Sequence, residues 1–580
     1  MNCRGLMPDE KKIACVMVGH RYINEVQTVA QVFFRYARFV FEMREGEGEG
    51  FECDCSAGVC GTARGTERFP LTCASNPREG HPRMIRNRSA ESSVPRADTH
   101  PRSESHAGFP AKMKLLTCVG KESACAVVCI DGENVAGHSI SLVGQDMVFA
   151  GLSPRRVLML ALFHALQKIV PTDAPWGALT GIRPSKMVRT WLDEGKKDED
   201  IIGILTDTLC VREDKAQLAL TVAHAESRLA KQIYSLSGGD ADLRLRKPPL
   251  GIYIGIPFCP SRCSYCSFNM GHKPPTRDIL VQYINMLISE CREKEEEIRC
   301  LGAGISSVYI GGGTPTVLPD DLLERLLNAV GECFGKPHEY TVEAGRPDTL
   351  TAENLRLIHS YGVNRIAVNP QTLNDHTFTT IGRNHTAADF FRAFSLARSA
   401  GFDNINADLI AGLPGETAND MERTLEKLLP LKPENITLHA LSIKRASKMN
   451  EERITNSFFN VKKAEKAAEA RTTGARGDSG ERLRFQVSGI PSRAGATLLS
   501  AGYSPYYLYR QKNTVSLLEN VGYSVPNREC LYNIGMMSEV QTILGIGAGA
   551  VNKYVQGTKI SRTFNEKNPE IYIKRRNQII

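Results

Sequence analysis

The sequence predicts an α/β protein with a parallel central sheet, preceded by an α+β accessory domain and followed by a C-terminal α/β extension. Two observations predict this class. Between residues 249 and 449, six short apolar runs typical of strands alternate with helical segments, and such a series forms a parallel sheet. Three cysteines follow the first of these strands directly, with the spacing CxxxCxxC. Six units are too few for a complete eight-unit barrel, so we expect a partial (β/α)6 barrel.

Length, charge and cysteine content narrow the class of protein. The 580 residues carry a formal net charge of +8. This charge is not gathered into one stripe, so we expect no nucleic-acid partner and a mildly basic surface that suits an anionic substrate. The sequence contains no apolar run long enough to span a membrane and no signal-peptide pattern at its start. The 17 cysteines, an odd number in a long chain, indicate free thiols. We therefore expect a soluble, cytoplasmic protein.

Two segments precede the accessory domain. Residues 1–41 are predicted to form a strand and then an amphipathic helix. Residues 42–111, rich in Gly, Ser, Pro and Arg, are predicted to be a disordered insert. The cysteines of this insert lack a paired spacing, so they are more easily explained as incidental than as an auxiliary metal site. They are Cys53, Cys55, Cys60 and Cys73.

Residues 112–248 are predicted to form the accessory domain, with strands around a turn at 131–132 and helices at about 154–170 and 212–235. Between these helices, LTGIRPSK at 179–186 fits either a shaped basic loop or a helix that begins at Pro184.

The barrel occupies residues 249–449, and two further segments follow it. Its strands are predicted at 251–256, 306–311, 340–344, 365–369, 405–410 and 435–441, and its helices at 277–299, 319–334, 352–361, 387–400 and 417–429. Residues 450–500 are predicted to be a flexible insert, and residues 501–580 to cover the substrate. The motif GIGAGA at 545–550 fits either the mouth of the site or a tight turn.

Cys259, Cys263 and Cys266 on one short loop indicate a metal site. Three thiolates leave one iron of a 4Fe-4S cube without a protein ligand, and an open coordination position is what chemistry at a metal requires. The alternative is a structural zinc site completed by His272 or a distant cysteine. Zinc sites usually show two paired ligand knuckles, and only one triplet is visible here.

Other candidate site residues follow the predicted strands, at the edge that carries function in barrel folds. GGGTP at 311–315 follows the second strand, where a backbone without side chains can approach a ligand and offer carbonyls to an ammonium group. A tight turn is the alternative, and the motif lacks the ending of a P-loop. Glu343 at the third strand and Asp408 in the fifth can face the same mouth beside Arg383. The alternative is that these charges pair with one another.

These motifs, in this order, resemble the oxygen-independent coproporphyrinogen III oxidase group of radical S-adenosylmethionine (SAM) proteins. The resemblance rests on Tyr253, the cysteine loop at 257–266, GGGTP, Glu343, Gln371, IGRNHT at 381–386, ADLIAGLPGET at 407–417 and GIGAGA. Within the group, the chain most resembles the HemZ-type coproporphyrinogen dehydrogenases. That finer resemblance rests on LTGIRPSK, YYLYRQKN at 506–513, LENVGYS at 518–524 and the long N-terminal extension.

The resemblance implies two cofactors, a 4Fe-4S cluster and SAM, which together generate a 5'-deoxyadenosyl radical. It implies that Cys259, Cys263 and Cys266 bind the cluster, with no catalytic residue beyond the cluster and SAM sites. It also implies a SAM pocket that consists of Tyr253, Tyr265, Gly312, Gly313, Thr314, Glu343, Gln371, Arg383, Asp408 and Ala440.

The implied reaction is the oxidative decarboxylation of coproporphyrinogen III to protoporphyrinogen IX in haem biosynthesis. Two propionates of this tetrapyrrole become vinyl groups, and a low-potential donor such as flavodoxin or ferredoxin is the expected partner. Basic groups are needed to hold the propionates, and the candidates are Arg183, Lys186, Arg510 and Lys512.

The chain departs from the family pattern at two places. The best-characterised oxidases carry a fourth cysteine two residues after the third, where this chain has Phe268. The related haem chaperones also lack that cysteine but carry a His-Asn-x-x-Tyr-Trp haem motif, which the nearest stretch, CLYN at 530–533, does not supply. The alternatives to the oxidase are thus a haem-delivery protein and a radical SAM enzyme with another substrate.

Overall fold

The computed structural model describes residues 12–18, 21–33, 38–44, 113–119, 123–130, 133–141, 152–170, 172–179, 181, 183–236, 250–266, 275–443, 447–449, 489–511, 518–557 and 559–578. Most of the two predicted inserts lies outside these ranges, as do Cys53, Cys55, Cys60, Cys73, Phe268, His272 and Lys512.

The described residues form two units, and the first takes in those of residues 1–180 and 203–212. It contains a five-stranded sheet of order β2-β1-β3-β4-β5, in which β1 is parallel to β2 and β3. Helix α2 packs on β4 and β5. The elements are β1 Lys12–Val18, α1 Ile23–Phe33, β2 Arg38–Arg44, β3 Met113–Val119, β4 Ser123–Ile130, β5 Glu133–Ser141, α2 Pro154–Gln167 and a π-helix Ile204–Thr208.

Strand β2 corrects the sequence analysis. The sequence analysis assigned residues up to 41 to a helix and began the insert at residue 42, whereas residues 38–44 pair in register with β1. The error has a simple cause, because a short apolar run such as RFVF fits either a buried strand or a helix end.

The second unit takes in the described residues of 181–202 and 213–580, so helices predicted within the accessory domain lie in this unit. Its helices are α3 Pro184–Asp193, α4 Asp198–Gly203, α5 Glu213–Leu236, α6 Arg277–Leu301, α7 Asp320–Phe334, α8 Ala352–Ser360, α9 Asp375–Thr380, α10 Ala387–Ser399, α11 Ala418–Leu428, α12 Ile490–Ser500, α13 Leu531–Met537 and α14 Pro569–Asn577.

One 11-stranded sheet runs through the second unit, with the order β12-β13-β11-β10-β9-β8-β7-β6-β14-β15-β16. Its strands are β6 Leu250–Ile256, β7 Ile305–Gly312, β8 Glu339–Val342, β9 Arg365–Ala367, β10 Ile405–Ala411, β11 Asn435–Ala440, β12 Ser504–Arg510, β13 Glu519–Ser524, β14 Thr542–Ile546, β15 Val551–Gln556 and β16 Lys559–Phe564.

The predicted strand–helix series is confirmed. Strands β6 to β11 are neighbours in chain order and run parallel. The sheet continues beyond both ends of this series, since β14 pairs parallel with β6 and β13 pairs antiparallel with β11. Capping boxes at Thr351, Thr386 and Thr417 begin α8, α10 and α11. Each cap accepts a hydrogen bond from a backbone amide that has no partner within the helix. The cap therefore fixes the residue at which the helix begins.

Helix α12 is a second correction, because the sequence analysis placed residues 490–500 in a flexible insert. The helix buries Ile490, Ala494 and Leu498 and packs against α11. Gly489, Pro491 and Gly495 weaken its sequence signal, and packing against a neighbouring helix supplies the stability that local propensity lacks.

Within the part of the chain that the structure describes, no helix combines the length and the apolar character needed to cross a bilayer.

A buried ion pair joins α5 to the C-terminal strands. Lys215 Nζ lies 2.5 Å from Glu519 Oε1, and the two side chains are 3% and 1% exposed. Lys215 also donates to Ser492 Oγ on α12 at 3.0 Å. Removing one partner of such a pair leaves a buried, uncompensated charge.

We predict that Lys215→Met lowers the free energy of unfolding by about 3 kcal/mol. Adding Glu519→Gln should recover part of this loss, because the buried charge is then removed as well. Arg356→Met is the matched control, since the Arg356–Glu353 pair is exposed and should change stability by about 0.5 kcal/mol or less. Equilibrium denaturation measures all four proteins, and equal effects of the two single variants would contradict the prediction.

Candidate functional site

A cavity of about 580 Å³ opens at the carboxyl ends of the parallel strands. All the residues that the resemblance assigns to the cluster and the SAM pocket line it, except Tyr253. The lining also includes several residues that the sequence analysis did not single out. Those used below are Arg346, Asn369, His439 and Asn520.

The cysteine loop forms one wall of the cavity. Cys259 Sγ lies 3.4 Å from Thr314 Oγ1, and Ser264 N donates to Ile381 O at 2.9 Å. Burial raises the pKa of the Cys259 thiol to about 11. Because a metal binds the thiolate, loading of this site would release protons.

Within the described residues, no three His, Cys, Asp or Glu side chains converge on a point where one metal ion would bind. A structural zinc site needs four ligands around a single ion. In a 4Fe-4S cube each cysteine binds a different iron, so its ligands surround a volume instead. Three cysteines spread along one wall of a shared cavity fit that requirement.

The backbone of the glycine turn, GGGTP at 311–315, packs against the start of the cysteine loop at 257–266. Gly313 N donates to Ile256 O at 2.7 Å, and Thr314 N donates to Phe258 O at 2.8 Å. A Cβ on Gly313 would lie 2.4 Å from Phe258 O, which is a backbone atom. Only glycine allows this approach, so the turn is more than a reversal of chain direction: it fixes the position of the residues that lead to Cys259.

Two carboxylates face the cavity from the neighbouring strands. Glu343, one residue past β8, accepts a hydrogen bond from Gly312 N at 3.2 Å. Burial and the nearby Asp408 raise the pKa of Glu343 to about 7. Although burial raises it, the pKa of Asp408 lies below its usual range because the nearby His439 and a hydrogen bond from Asn406 Nδ2 at 2.8 Å stabilise the carboxylate. The site therefore holds one firmly ionised carboxylate and one that titrates near neutral pH.

His439 and Asn520 support this acidic side. His439 Nε2 lies 3.8 Å from Asp408 Oδ1, and the pKa of His439 is raised because its attraction to the Asp408 carboxylate outweighs its burial. Asn520 Oδ1 lies 3.3 Å from His439 Nδ1 and accepts from Ala440 N at 3.1 Å. The Asn520 side chain thus links β13 to the end of β11.

The buried Arg346 and Arg383 also line the cavity. Arg383 donates to Asn369 O at 2.6 Å and to Gly345 O at 3.2 Å. Tyr265 lies beside it, and burial raises the pKa of the Tyr265 hydroxyl well above its usual value. Gln371 has a φ of 69°, an unusual and costly conformation for a residue other than glycine. Such strain is typical of a functional site.

Tyr253 lies behind the glycine turn. Its ring stacks on those of Tyr309 and Tyr532, each with centroids 6.3 Å apart. A Cβ on Gly312 would lie 3.0 Å from Tyr253 Oη. Tyr253 therefore supports the turn from within the protein.

Of the basic residues suggested for propionate binding, the three that the structure describes lie outside the cavity. Arg183 and Lys186 pair with Glu539 at 2.7 and 3.0 Å. Burial raises the pKa of Glu539, but its pairing with Arg183 and Lys186 outweighs burial and lowers the pKa to about 2. Neither lines the cavity, and nor does the buried Arg510. A helix that begins at Pro184 explains the motif LTGIRPSK, and its two basic residues pair with Glu539.

The GIGAGA motif is a structural turn between β14 and β15. Gly547 has a φ of 100°, and its amide donates to the buried Glu290 at 2.8 Å. No residue of the motif is part of the cavity wall.

Sequence reasoning missed Arg346, His439 and Asn520. Arg346 and His439 lie at the ends of the third and sixth strands of the barrel, where the motifs EAGRPD and LHAL carry a polar residue. That position was a usable signal. Asn520 had none, because it reaches the site from β13, whose place next to β11 is set by a distant pairing.

Comparison with known proteins identifies the family. Residues 253–428 match the Radical SAM superfamily. The chain is 36% identical over 426 residues to the oxygen-independent coproporphyrinogen-III oxidase-like protein HemZ of Bacillus subtilis (strain 168), with 73% of this chain and 78% of HemZ covered. The chain belongs to the HemZ family of radical SAM proteins. Membership of this superfamily implies SAM and a 4Fe-4S cluster as cofactors.

Two other similarities are more partial. The chain is 35% identical over 203 residues to the heme chaperone HemW of B. subtilis, which covers 33% of this chain and 50% of HemW. Among solved structures, it is similar to the coproporphyrinogen III oxidase HemN from Escherichia coli, with a TM-score of 0.42, 21% identity, and 58% and 71% of the two chains covered.

We predict that Gly313→Ala separates the glycine turn from the cysteine loop. The added methyl group meets backbone that cannot yield cheaply, so stability should fall by about 1–3 kcal/mol and SAM should bind about tenfold more weakly. Gly331→Ala is the control, because its Cβ meets no atom within 4 Å and alanine favours the helix. Anaerobic equilibrium dialysis with SAM measures the effect, and equal affinities in the two variants would refute it.

The titration of Glu343 predicts a pH dependence. A cationic ligand such as SAM prefers the carboxylate, whose pKa is about 7 in the free protein. As pH falls from 8 to 6, Glu343 takes up a proton and SAM affinity should fall by about tenfold. Asp408 stays ionised in this range, and protonation of His439 acts in the same direction as that of Glu343.

The Glu343→Gln variant should bind SAM weakly at every pH and lose most of this dependence. Anaerobic equilibrium dialysis with SAM, from pH 6 to pH 8, measures the affinities of the wild-type protein and this variant. An equally steep dependence in the variant would assign the effect to His439 instead.

Proposed function

We propose that this protein is a radical SAM enzyme that decarboxylates coproporphyrinogen III oxidatively to protoporphyrinogen IX. The observation that carries the proposal is the extended similarity to HemZ, together with a cavity that brings the cysteine triplet and the family's SAM-pocket residues to one edge of the sheet.

In this proposal Cys259, Cys263 and Cys266 bind a 4Fe-4S cluster, which leaves one iron open for SAM. When bound, the two cofactors supply a radical that abstracts hydrogen from the substrate, which is chemistry no side chain performs. The protein binds and orients the substrate and excludes water from the site. A propionate that loses a hydrogen atom and carbon dioxide becomes a vinyl group, and the remaining electron passes to an acceptor.

The proposed SAM pocket follows the charges of the cavity. SAM carries a sulfonium and an ammonium group, and the side formed by Glu343 and Asp408 is acidic.

The other pocket residues have separate proposed roles. The backbone of Gly312, Gly313 and Thr314 faces the amino end of SAM. Gln371, Arg383 and Ala440 continue the pocket, Tyr265 covers the cluster, and Tyr253 supports the turn from behind. His439 keeps Asp408 ionised, so the pocket retains a negative charge even when Glu343 is protonated.

A haem-delivery role is the second candidate, and the similarity to HemW is the observation that favours it. That similarity is confined to a third of this chain, whereas the similarity to HemZ extends over 73% of it. The enzyme proposal therefore accounts for more of the sequence.

We propose a small, low-potential redox protein such as flavodoxin or ferredoxin as the electron donor, and a cytoplasmic location.

The test is anaerobic turnover of the reconstituted protein with SAM, a reductant and coproporphyrinogen III. We expect 5'-deoxyadenosine to accumulate with the substrate, fall to a slow background without it, and appear together with the mass of protoporphyrinogen IX. Cys259→Ala should lose this activity. Cys300→Ala is the matched control because Cys300 is exposed and lies outside the cavity.

Two results count against the enzyme. If 5'-deoxyadenosine forms at the same rate without coproporphyrinogen III and no protoporphyrinogen IX appears, the proposed reaction is wrong. Stoichiometric haem binding by the same preparation would then favour the delivery role.

A further inference from the structure

Arg346 places its guanidinium against one of the three cysteines. Its Nη1 donates to Cys263 Sγ at 3.6 Å and to Ser261 O at 3.4 Å. The Arg346 side chain is 3% exposed. A buried cation therefore lies directly beside a sulfur that, under the proposed function, binds an iron of the cluster.

Asp348 holds this guanidinium by its other edge. Arg346 Nε and Nη2 donate to the two carboxylate oxygens of Asp348 at 3.0 and 2.9 Å, a bidentate geometry that fixes the plane of the guanidinium. His385 Nδ1 approaches Asp348 at 3.8 Å, and burial lowers the pKa of His385 to about 4. His385 is thus neutral near pH 7, and the local charges are those of Arg346, Asp348 and the nearby Arg383.

The charges of Arg346 and Asp348 lie at different distances from Cys263 Sγ. The nitrogen that donates to Cys263 is the one that Asp348 does not bind, so the positive charge lies between the carboxylate and the Cys263 sulfur. Hydrogen bonds to ligand sulfurs and the local net charge set the potential of an iron–sulfur cluster. Reduction by one electron adds one negative charge to the cluster, and a nearby cation stabilises that state.

We propose that Arg346, oriented by Asp348, is a positioning residue that raises the reduction potential of the cluster through its hydrogen bond to Cys263. This inference rests on the proposed cluster at Cys259, Cys263 and Cys266. The electron comes from a low-potential one-electron donor and stays on the cluster, so the step needs no further reactant. The effect would bring the cluster within reach of that donor.

A purely structural brace makes a different prediction. If the pair only holds the loop at 346–348, then breaking it from either side has the same consequence. If the pair sets the potential, the two single variants act in opposite directions. Arg346→Met leaves the anion of Asp348 near the cluster and makes reduction harder, whereas Asp348→Asn leaves the cation less compensated and makes reduction easier.

The experiment is a redox titration of the full-length, anaerobically reconstituted protein without SAM, followed by the paramagnetic resonance signal of the reduced cluster. At a fixed solution potential, Arg346→Met should lower the ratio of reduced to oxidised cluster about tenfold, which equals a shift of about 59 mV. Asp348→Asn should raise this ratio, and Arg346→Lys should recover part of the loss. Arg356→Met, which removes an exposed arginine, should leave the ratio unchanged.

Each outcome decides the matter. Shifts of the same sign in Arg346→Met and Asp348→Asn, or shifts no larger than that of Arg356→Met, overturn the inference while the cluster itself stands. If Arg346→Met does not retain iron and sulfide, Asp348→Asn decides alone, and an unchanged or lower ratio overturns the inference. Wild-type protein that binds no cluster overturns the proposed function and this inference together.

Discussion

The close backbone contact between the glycine turn and the cysteine loop is the constraint on which the site depends. Gly313 N and Thr314 N donate to carbonyls of residues 256 and 258, so the end of β7 fixes the chain that leads from β6 to Cys259. A side chain at position 313 would occupy the space of a carbonyl. The parallel pairing of β6 with β7 brings the two segments to the same edge, and the glycine lets them touch.

The cavity separates its charges, and this separation suits the two cofactors that the family implies. Glu343 and Asp408 lie on the side next to the glycine turn, where a cationic ligand would be stabilised. Arg346 and Arg383 lie toward the cysteines, where a cluster with three thiolates would be anionic. Each charged group is tied by hydrogen bonds to backbone or to a neighbouring side chain, so the field inside the cavity is set before any ligand enters.

Much of this arrangement could be predicted from the sequence, because local patterns encode it. Strands and helices of the barrel were visible in the alternation of apolar runs, and the cysteine spacing and GGGTP identified one edge of the sheet. What failed depends on partners distant in sequence. Helix α12 is stabilised by packing that no local pattern reveals, and Glu539, more than 350 residues away, pairs with Arg183 and Lys186. Asn520 was hidden for the same reason, because β13 reaches the site only through its pairing with β11.

The central claim is that one cavity holds the cluster and SAM in direct contact. The most direct test is electron–nuclear double resonance on the reduced, reconstituted protein with SAM isotopically labelled at its amino nitrogen and carboxylate oxygens. The account predicts hyperfine coupling from both labels to the cluster in the wild-type protein, and weaker occupancy at the same SAM concentration in Gly313→Ala. A signal that saturating SAM leaves unchanged, with no coupling from either label, would contradict it.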